Sequence, residues 1–313
     1  MRTHGTLKTS RGRDFILFFK WIFKRIKFKI QKKNYTLGYD DFPRLSALIN
    51  LCNWLTPKFG TKKWFRKYLE PVLAGKPGKD HIQAKVIPLN ALVKNNPKAV
   101  LPYKLIDEVI DKSSFRLILH DCMCRKGMGC MDYPQDFGCM FIGEGARYLM
   151  QSENPPGRSV TIKEARAHVR KAGELGLVPL AAYVPIEQKI FGIPDNLHYK
   201  FFEFCFCDPC CCVGLKNIQY LSSNTRRVTK VLENVGFAAK ALPDCRGCFK
   251  CVSICPVHAI NKNGTKVWVN EDECFGCGLC QQVCKFDSIQ LVQIAPVRGT
   301  LFDYFNGLNL DVG

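Results

Sequence analysis

The chain has no glycine-rich phosphate loop of the G-x-G-x-x-G or G-x-x-x-x-G-K-S/T form, so nucleotide or flavin binding through those motifs has no support. Acidic residues are scarce, 27 against 46 Lys and Arg, and there are only six histidines. Long apolar runs are missing from the amino terminus: between Phe15 and Ile30 the longest uncharged stretch ends after five residues, at Lys20. That falls short of the ~20 residues of a membrane-spanning helix and of the ~7 to 15 of a signal-peptide core. Gly12 splits Arg11 from Arg13 and no small-residue cleavage site follows, so export is not expected. The composition, 47% hydrophobic and 23% charged over 313 residues, excludes a wholly disordered chain and suits two domains of ~100 to 200 residues.

Cysteine and positive charge are abundant, with 18 cysteines and a formal charge of +19. The cysteines are clustered, and runs such as Cys210-Cys211-Cys212 make poor disulfide partners for one another. Packed thiolates are what a soft metal or an iron–sulfur core requires, and they imply a reducing, anaerobic cytosol. The charge is lopsided. Residues 1–35 carry eleven basic residues against Asp14, a net +10, whereas residues 241–292 are neutral.

Within residues 14–33, Phe15, Ile16, Phe19, Ile22, Phe23, Ile26 and Ile30 share one helical face, and Lys20, Lys24 and Lys27 another. A basic amphipathic helix with Trp21 and these phenylalanines has the pattern of a segment lying on an anionic membrane surface. The alternative is a helix docked on protein with its lysines in water. Nucleic-acid binding is not expected, because phenylalanine and isoleucine dominate the segment. The expected location is cytoplasmic, peripheral on the inner face of the cell membrane.

The chain divides by pattern into a basic amphipathic segment (1–35), a mostly helical region (36–118), an α+β cysteine-rich domain (119–240), residues 241–292, and a tail (293–313). In the second region Leu45, Leu48, Ile49, Leu51 and Trp54 fall at helical spacing, with Cys52 among them as a small core hydrophobe, and Gly75 to Gly78 read as a linker. A helix is expected over 102–112, a strand over Phe115–Leu119 leading into Cys122, and a helix from Gly143 to Met150. Thr161 and Glu164 form a capping box for a helix ending at Gly176. A further helix is expected from Asn217 to Gly236, and a strand–turn–strand between Ile260 and Val269.

Cys245, Cys248, Cys251 and Cys255 form C-x₂-C-x₂-C-x₃-C before Pro256, and Cys274, Cys277, Cys280 and Cys284 repeat that spacing 29 residues later. Three thiolates two residues apart on a tight loop reach three corners of one cubane, and the fourth cysteine reaches the other cluster. Cys245, Cys248, Cys251 and Cys284 are therefore expected around one [4Fe–4S], and Cys274, Cys277, Cys280 and Cys255 around the second. Zinc, the alternative, usually takes two well-separated pairs, which a duplicated run of three does not provide. Residues 241–292 resemble the bacterial two-[4Fe–4S] ferredoxins, a resemblance that covers one sixth of the chain. It implies two low-potential clusters passing single electrons. Lys285 stands where many members place a second proline, and a cation there should raise the potential of the adjacent cluster.

Upstream, Cys122, Cys124, Cys130 and Cys139 form one patch and Cys205, Cys207, Cys210, Cys211 and Cys212 another. Their C-x-C-R and C-x-C-x₂-C-C-C segments are similar to those preceding a ferredoxin module in a broad group of uncharacterised iron–sulfur proteins of anaerobes. Nine thiols exceed what one cubane uses, so one or two further clusters are expected, against the alternative of a reduced thiol pocket or a single zinc. Arg125 and Asp208 are expected to tune such a centre. His120 and His258 are read as surface or packing residues.

The expected fold class is α+β: a helical and mixed cysteine-rich amino-terminal and middle region, then a ferredoxin-like two-[4Fe–4S] domain. The expected function is an iron–sulfur electron-transfer protein, or the electron-input subunit of an anaerobic redox complex, with a redox protein as partner. The alternative is a cluster-based reductase whose active site lies in the middle domain.

Overall fold

The computed structural model describes residues 35–68, 82–89, 103–218, 220, 232–305 and 307–313. The amphipathic segment, the linker at 75–78 and most of the helix expected over 217–236 lie outside the described residues.

The elements are α1 (Phe42–Phe59), α2 (Lys63–Tyr68), β1 (Gln83–Val86), α3 (Tyr103–Lys112), β2 (Arg116–Leu119), α4 (Met123–Met128), β3 (Met140–Ile142), α5 (Glu144–Leu149), β4 (Gly157–Ser159), α6 (Ile162–Glu174), β5 (Val178–Tyr183), α7 (Pro185–Ile190) and β6 (Phe202–Cys207). They continue as α8 (Val213–Ile218), β7 (Leu232–Asn234), β8 (Phe237–Ala241), α9 (Lys250–Ile254), β9 (Ile260–Asn263), β10 (Lys266–Val269), α10 (Leu279–Gln282) and β11 (Ile289–Gln293). The α+β character read from the sequence is what the structure shows.

Seven strands form one sheet in the order β4-β2-β3-β6-β5-β1-β7, antiparallel except where β1 and β7 run parallel. It draws strands from both sides of position 118, so the stretches 36–118 and 119–240 share it. Successive side chains of a strand point to opposite faces. On β6 this sends Phe202, Phe204 and Phe206 one way and Glu203, Cys205 and Cys207 the other.

The phenylalanines enter a core closed by α3, through Leu105, Ile106, Val109 and Ile110, and by α6, through Ala165, Val169 and Ala172. Thr161 caps α6, accepting from the Glu164 amide at 3.3 Å while Glu164 accepts from the Thr161 amide at 2.9 Å. The carboxy-terminal stretch belongs to the same core, since Leu301, Tyr304, Phe305 and Val312 are buried in it.

Two expectations change. The helical reading of 217–236 does not hold at its end, where Leu232–Asn234 is a strand in register with β1. Pairing with a buried neighbour overrides local helical periodicity there. The last unit also starts before 241, because β8 pairs with β11 from Phe237↔Gln293 to Ala241↔Ile289. Between these strands lie α9, the β9–β10 hairpin and α10, and the hairpin is the strand–turn–strand expected between Ile260 and Val269.

Candidate functional site

In the last unit the two cysteine motifs enclose two cavities, and each cavity draws on both motifs. One is lined by Cys274, Cys277, Cys280 and Cys255 within an apolar wall that includes Ala239, Val257, Ile260, Leu279 and Leu291. The other is lined by Cys245, Cys248, Cys251 and Cys284 with Arg246, Phe249 and Phe286. The helices cause the exchange: Cys255 ends α9 and Cys284 follows α10, so each is carried away from its own loop.

The loops are held by close backbone approach. Gly276 has φ +62, and a Cβ there would run into the Phe237 carbonyl. Phe249 takes φ 58 without being glycine, a strained conformation between Cys248 and Cys251. The amides of Ala239 and Gly276 donate to Cys274 Sγ at 3.3 and 3.5 Å. Burial pushes the Cys277 thiol up to about 12, so a free thiolate is costly there and a metal-bound one is favoured by comparison. Cys248 is exposed whereas Cys274 and Cys280 of the first cavity are buried, so the second cavity lies nearer the surface.

The upstream thiols form a second assembly, on the sheet face opposite the phenylalanines. Cys205 and Cys207 alternate inward from β6, and Cys139 immediately precedes β3. Cys122 precedes α4, Cys124 lies in its first turn, and Cys212 precedes α8 and accepts the Lys216 amide at 2.9 Å. Neighbouring thiols perturb one another around a closed ring, Cys122–Cys124–Cys212–Cys207–Cys205–Cys139 and back to Cys122, in which Cys212 donates to Cys207. Cys207 and Cys212 stand 2.9 Å apart. Contacts with neighbouring thiols, Cys124 first in each case, hold Cys122 and Cys212 well below the usual thiol range. Contact with Cys122 and Cys212 pushes Cys124 well above it, contact with Cys122 and Cys205 does the same to Cys139, and burial adds to both shifts. α1 covers this side: Ser46 Oγ donates to the Met123 carbonyl at 3.3 Å and Asn53 to the Cys211 carbonyl at 3.1 Å.

Cys130, Cys210 and Cys211 stand outside the ring, so the spatial groups cut across the two sequence patches. Arg125, with no exposed surface, runs between the groups. It donates to the carbonyls of Pro134 and Phe206 at 2.8 Å each and to that of Phe137, and pairs with Asp208 at 3.4 Å. Burial opposes its charge, but the facing Cys122, Cys139, Asp208 and Cys207 outweigh that and hold the guanidinium charged.

Some participants had little signal in the sequence. Glu203 is 1% exposed on the thiol face, facing Glu187 of α7. Desolvation first, then the Glu187 charge, pushes its carboxyl well above the usual range. His168 stacks on Phe137 with centroids 3.9 Å apart and bonds the Gly138 carbonyl at 2.9 Å, bracing the turn before Cys139. Of the histidines singled out, His120 packs edge-on against Tyr39 and His258 lies exposed at φ 54. Cys52 is half-buried on α1, its thiol pushed up to about 11 by desolvation.

Comparison with known proteins agrees with the chemistry of the last unit. The LdpA Fe-S cluster-binding domain matches residues 243–295. The chain is similar to an uncharacterized ferredoxin of Methanocaldococcus jannaschii, 49% identical over 39 residues, 12% of this chain and 24% of that protein. It is 40% identical over 48 residues to hydrogenase-4 component A of Escherichia coli K12, covering 15% of this chain and 23% of that protein. A ferredoxin of Saccharopolyspora erythraea is 38% identical over 46 residues, 15% of this chain and 43% of that one. The matches thus span about a quarter to under half of these relatives. The carboxy-terminal region is iron–sulfur-binding and ferredoxin-like.

Proposed function

We propose that the chain is an iron–sulfur electron-transfer protein, or the electron-input subunit of an anaerobic redox complex, working through two [4Fe–4S] clusters in its last unit. The observation that carries this reading is the exchange of the fourth cysteine, which gives each cavity four thiols of mixed origin. Cys274, Cys277, Cys280 and Cys255 would hold the inner cluster, and Cys245, Cys248, Cys251 and Cys284 the outer. Each bound cluster supplies a one-electron couple. The protein's part is to keep the inner cavity dry, to donate amide hydrogen bonds at Cys274 Sγ, and to place charge nearby; Arg246 and Lys262 lie over Phe286 and Phe249 beside the outer cavity.

The six-thiol ring is read as the seat of further iron–sulfur, fed from the inner cavity. Cys207, Cys212, Leu180 and Leu215 share one buried apolar cluster with Cys251, Cys274, Cys280 and Leu279, so an electron moving between them stays within protein. A redox partner is expected at the outer cavity, where Cys248 is exposed and Arg246, Lys250 and Lys262 concentrate positive charge. The amphipathic segment would hold the chain at an anionic membrane surface; among the described residues no helix is long and apolar enough to cross one.

An anaerobic reductive titration of the reconstituted full chain tests the reading. At least three electrons per chain, taken up reversibly with bleaching of the cluster absorbance, are expected. Uptake of none, or irreversible bleaching, would overturn it.

A further inference from the structure

The three thiols outside the ring have a geometry of their own. Cys130 Sγ and Cys210 Sγ are 3.9 Å apart, and Cys210 Sγ and Cys211 Sγ 3.4 Å. With a carboxylate oxygen of Asp208 they form a group whose ligand atoms all lie within 4.8 Å of one another. Sulfurs bound to a single tetrahedral ion at a metal–sulfur distance of about 2.3 Å stand about 3.8 Å apart.

The surroundings fix this arrangement. Asp208 Oδ1 accepts the amides of Cys210 at 3.0 Å and Cys211 at 2.5 Å, closing the turn that brings both thiols to one side. Cys130 is anchored from the other strand of chain: its amide donates to the Arg125 carbonyl at 2.9 Å and its carbonyl accepts from Gln135 at 2.8 Å. Arg125 pairs with Asp208 and supplies the positive charge that an anionic metal–trithiolate group needs. Cys130 and Cys211 are buried while Cys210 is only half-buried, so one side of the group opens towards solvent.

We infer that Cys130, Cys210 and Cys211 form a mononuclear site for one borderline-soft divalent ion of the zinc class, separate from the iron–sulfur centres. The three thiolates are its ligands and the fourth position faces solvent. Asp208 is a positioning residue, because its oxygens are engaged by the turn amides and by Arg125. Thiolate donors select zinc over harder ions, and three of them give an open tetrahedral site.

The experiment uses the full chain, reconstituted anaerobically with iron and sulfide, then given zinc and freed of loose metal. One zinc per chain is expected to remain. Cys130→Ala and Cys211→Ala should each lose it while keeping the parental iron count, which also shows that they fold; Cys207→Ala should keep zinc and lose iron. In the unmutated protein, zinc should protect Cys130, Cys210 and Cys211 from alkylation as mapped by mass spectrometry. Absence of retained zinc, absence of protection, or loss of iron with unchanged zinc in Cys130→Ala would each overturn the inference. Iron content tests the electron-transfer reading and zinc content this one, so either can fail alone.

Discussion

Arg125 is the residue that separates the upstream thiols into two groups, and its burial makes it sensitive to change. Arg125→Met would leave Asp208 buried without its countercharge and strip the carbonyls of Phe206, Pro134 and Phe137 of a donor. Breaking a buried pair in this way costs about 3–5 kcal/mol. The urea midpoint should fall accordingly, and Arg125→Lys should recover only part of the loss, because an ammonium lacks the planar fork. An unchanged midpoint in Arg125→Met would show that the guanidinium is not structurally needed.

His168 gives a pH signature at the same scale. Burial first, then the Arg158 and Arg125 charges, pull its pKa down to about 4, against the pull of the Gly138 carbonyl. The folded state therefore prefers the neutral ring, and its contribution is complete above the unfolded value of about 6.5 and lost as pH falls towards 4. Between pH 7 and pH 5 the protein should lose on the order of 1–2 kcal/mol that His168→Gln does not lose. Parallel urea curves for the two proteins over that range would contradict the assignment.

The sorting of the eight carboxy-terminal cysteines between two cavities was readable from their spacing, while what those cavities hold is the proposal. The grouping of the upstream thiols was not readable, because it depends on bringing Cys124 next to Cys212, 88 residues away. Glu203 was hidden for a related reason: in Phe202-Glu203-Phe204-Cys205-Phe206-Cys207 the alternation shows that Glu203 shares a face with two cysteines, but not that α1 and α7 bury that face.

Among the elements, the tight loops of the last unit hold the cavities in shape. Gly276→Ala adds a Cβ at φ +62, which costs about 1–2 kcal/mol for the left-handed backbone alone, and drives it into the Phe237 carbonyl. The inner cavity should then lose iron while the outer one keeps it. Gly264→Ala is the control, with a similar φ of +57 but open space around the new methyl group, and should retain full iron. Equal iron in the two variants would mean that the Gly276 loop does not shape the cavity.

The amphipathic segment makes a separate prediction, argued from sequence. Each Lys or Arg near an anionic surface contributes ~1 kcal/mol, and inserted aromatic side chains add attraction that salt does not screen. Deleting residues 1–33 should abolish binding to anionic vesicles while leaving the cluster absorbance intact, and salt should weaken binding of the full chain without ending it. Vesicle binding that survives the deletion would place the contact elsewhere. Element types were readable where periodicity was strong, as in α3 and α6; β7 was misread because its strand character comes from the buried neighbour β1.

At the scale of the whole molecule, one apolar cluster runs from β5 and α8 into the walls of the last unit's cavities, placing the six-thiol ring and the ferredoxin-like unit in a single protein medium. The carboxy-terminal stretch, read from sequence as a tail, closes the opposite face of the same sheet. The central claim is that iron occupies the outer cavity, the inner cavity and the thiol ring. The direct measurement is iron per chain in anaerobically reconstituted full-length protein beside its Cys245→Ala and Cys274→Ala variants. More than eight irons are expected in the parent and about four fewer in each variant, because each substituted thiol serves a different cubane. Eight irons or fewer at saturation, or an unchanged count in either variant, would contradict the account.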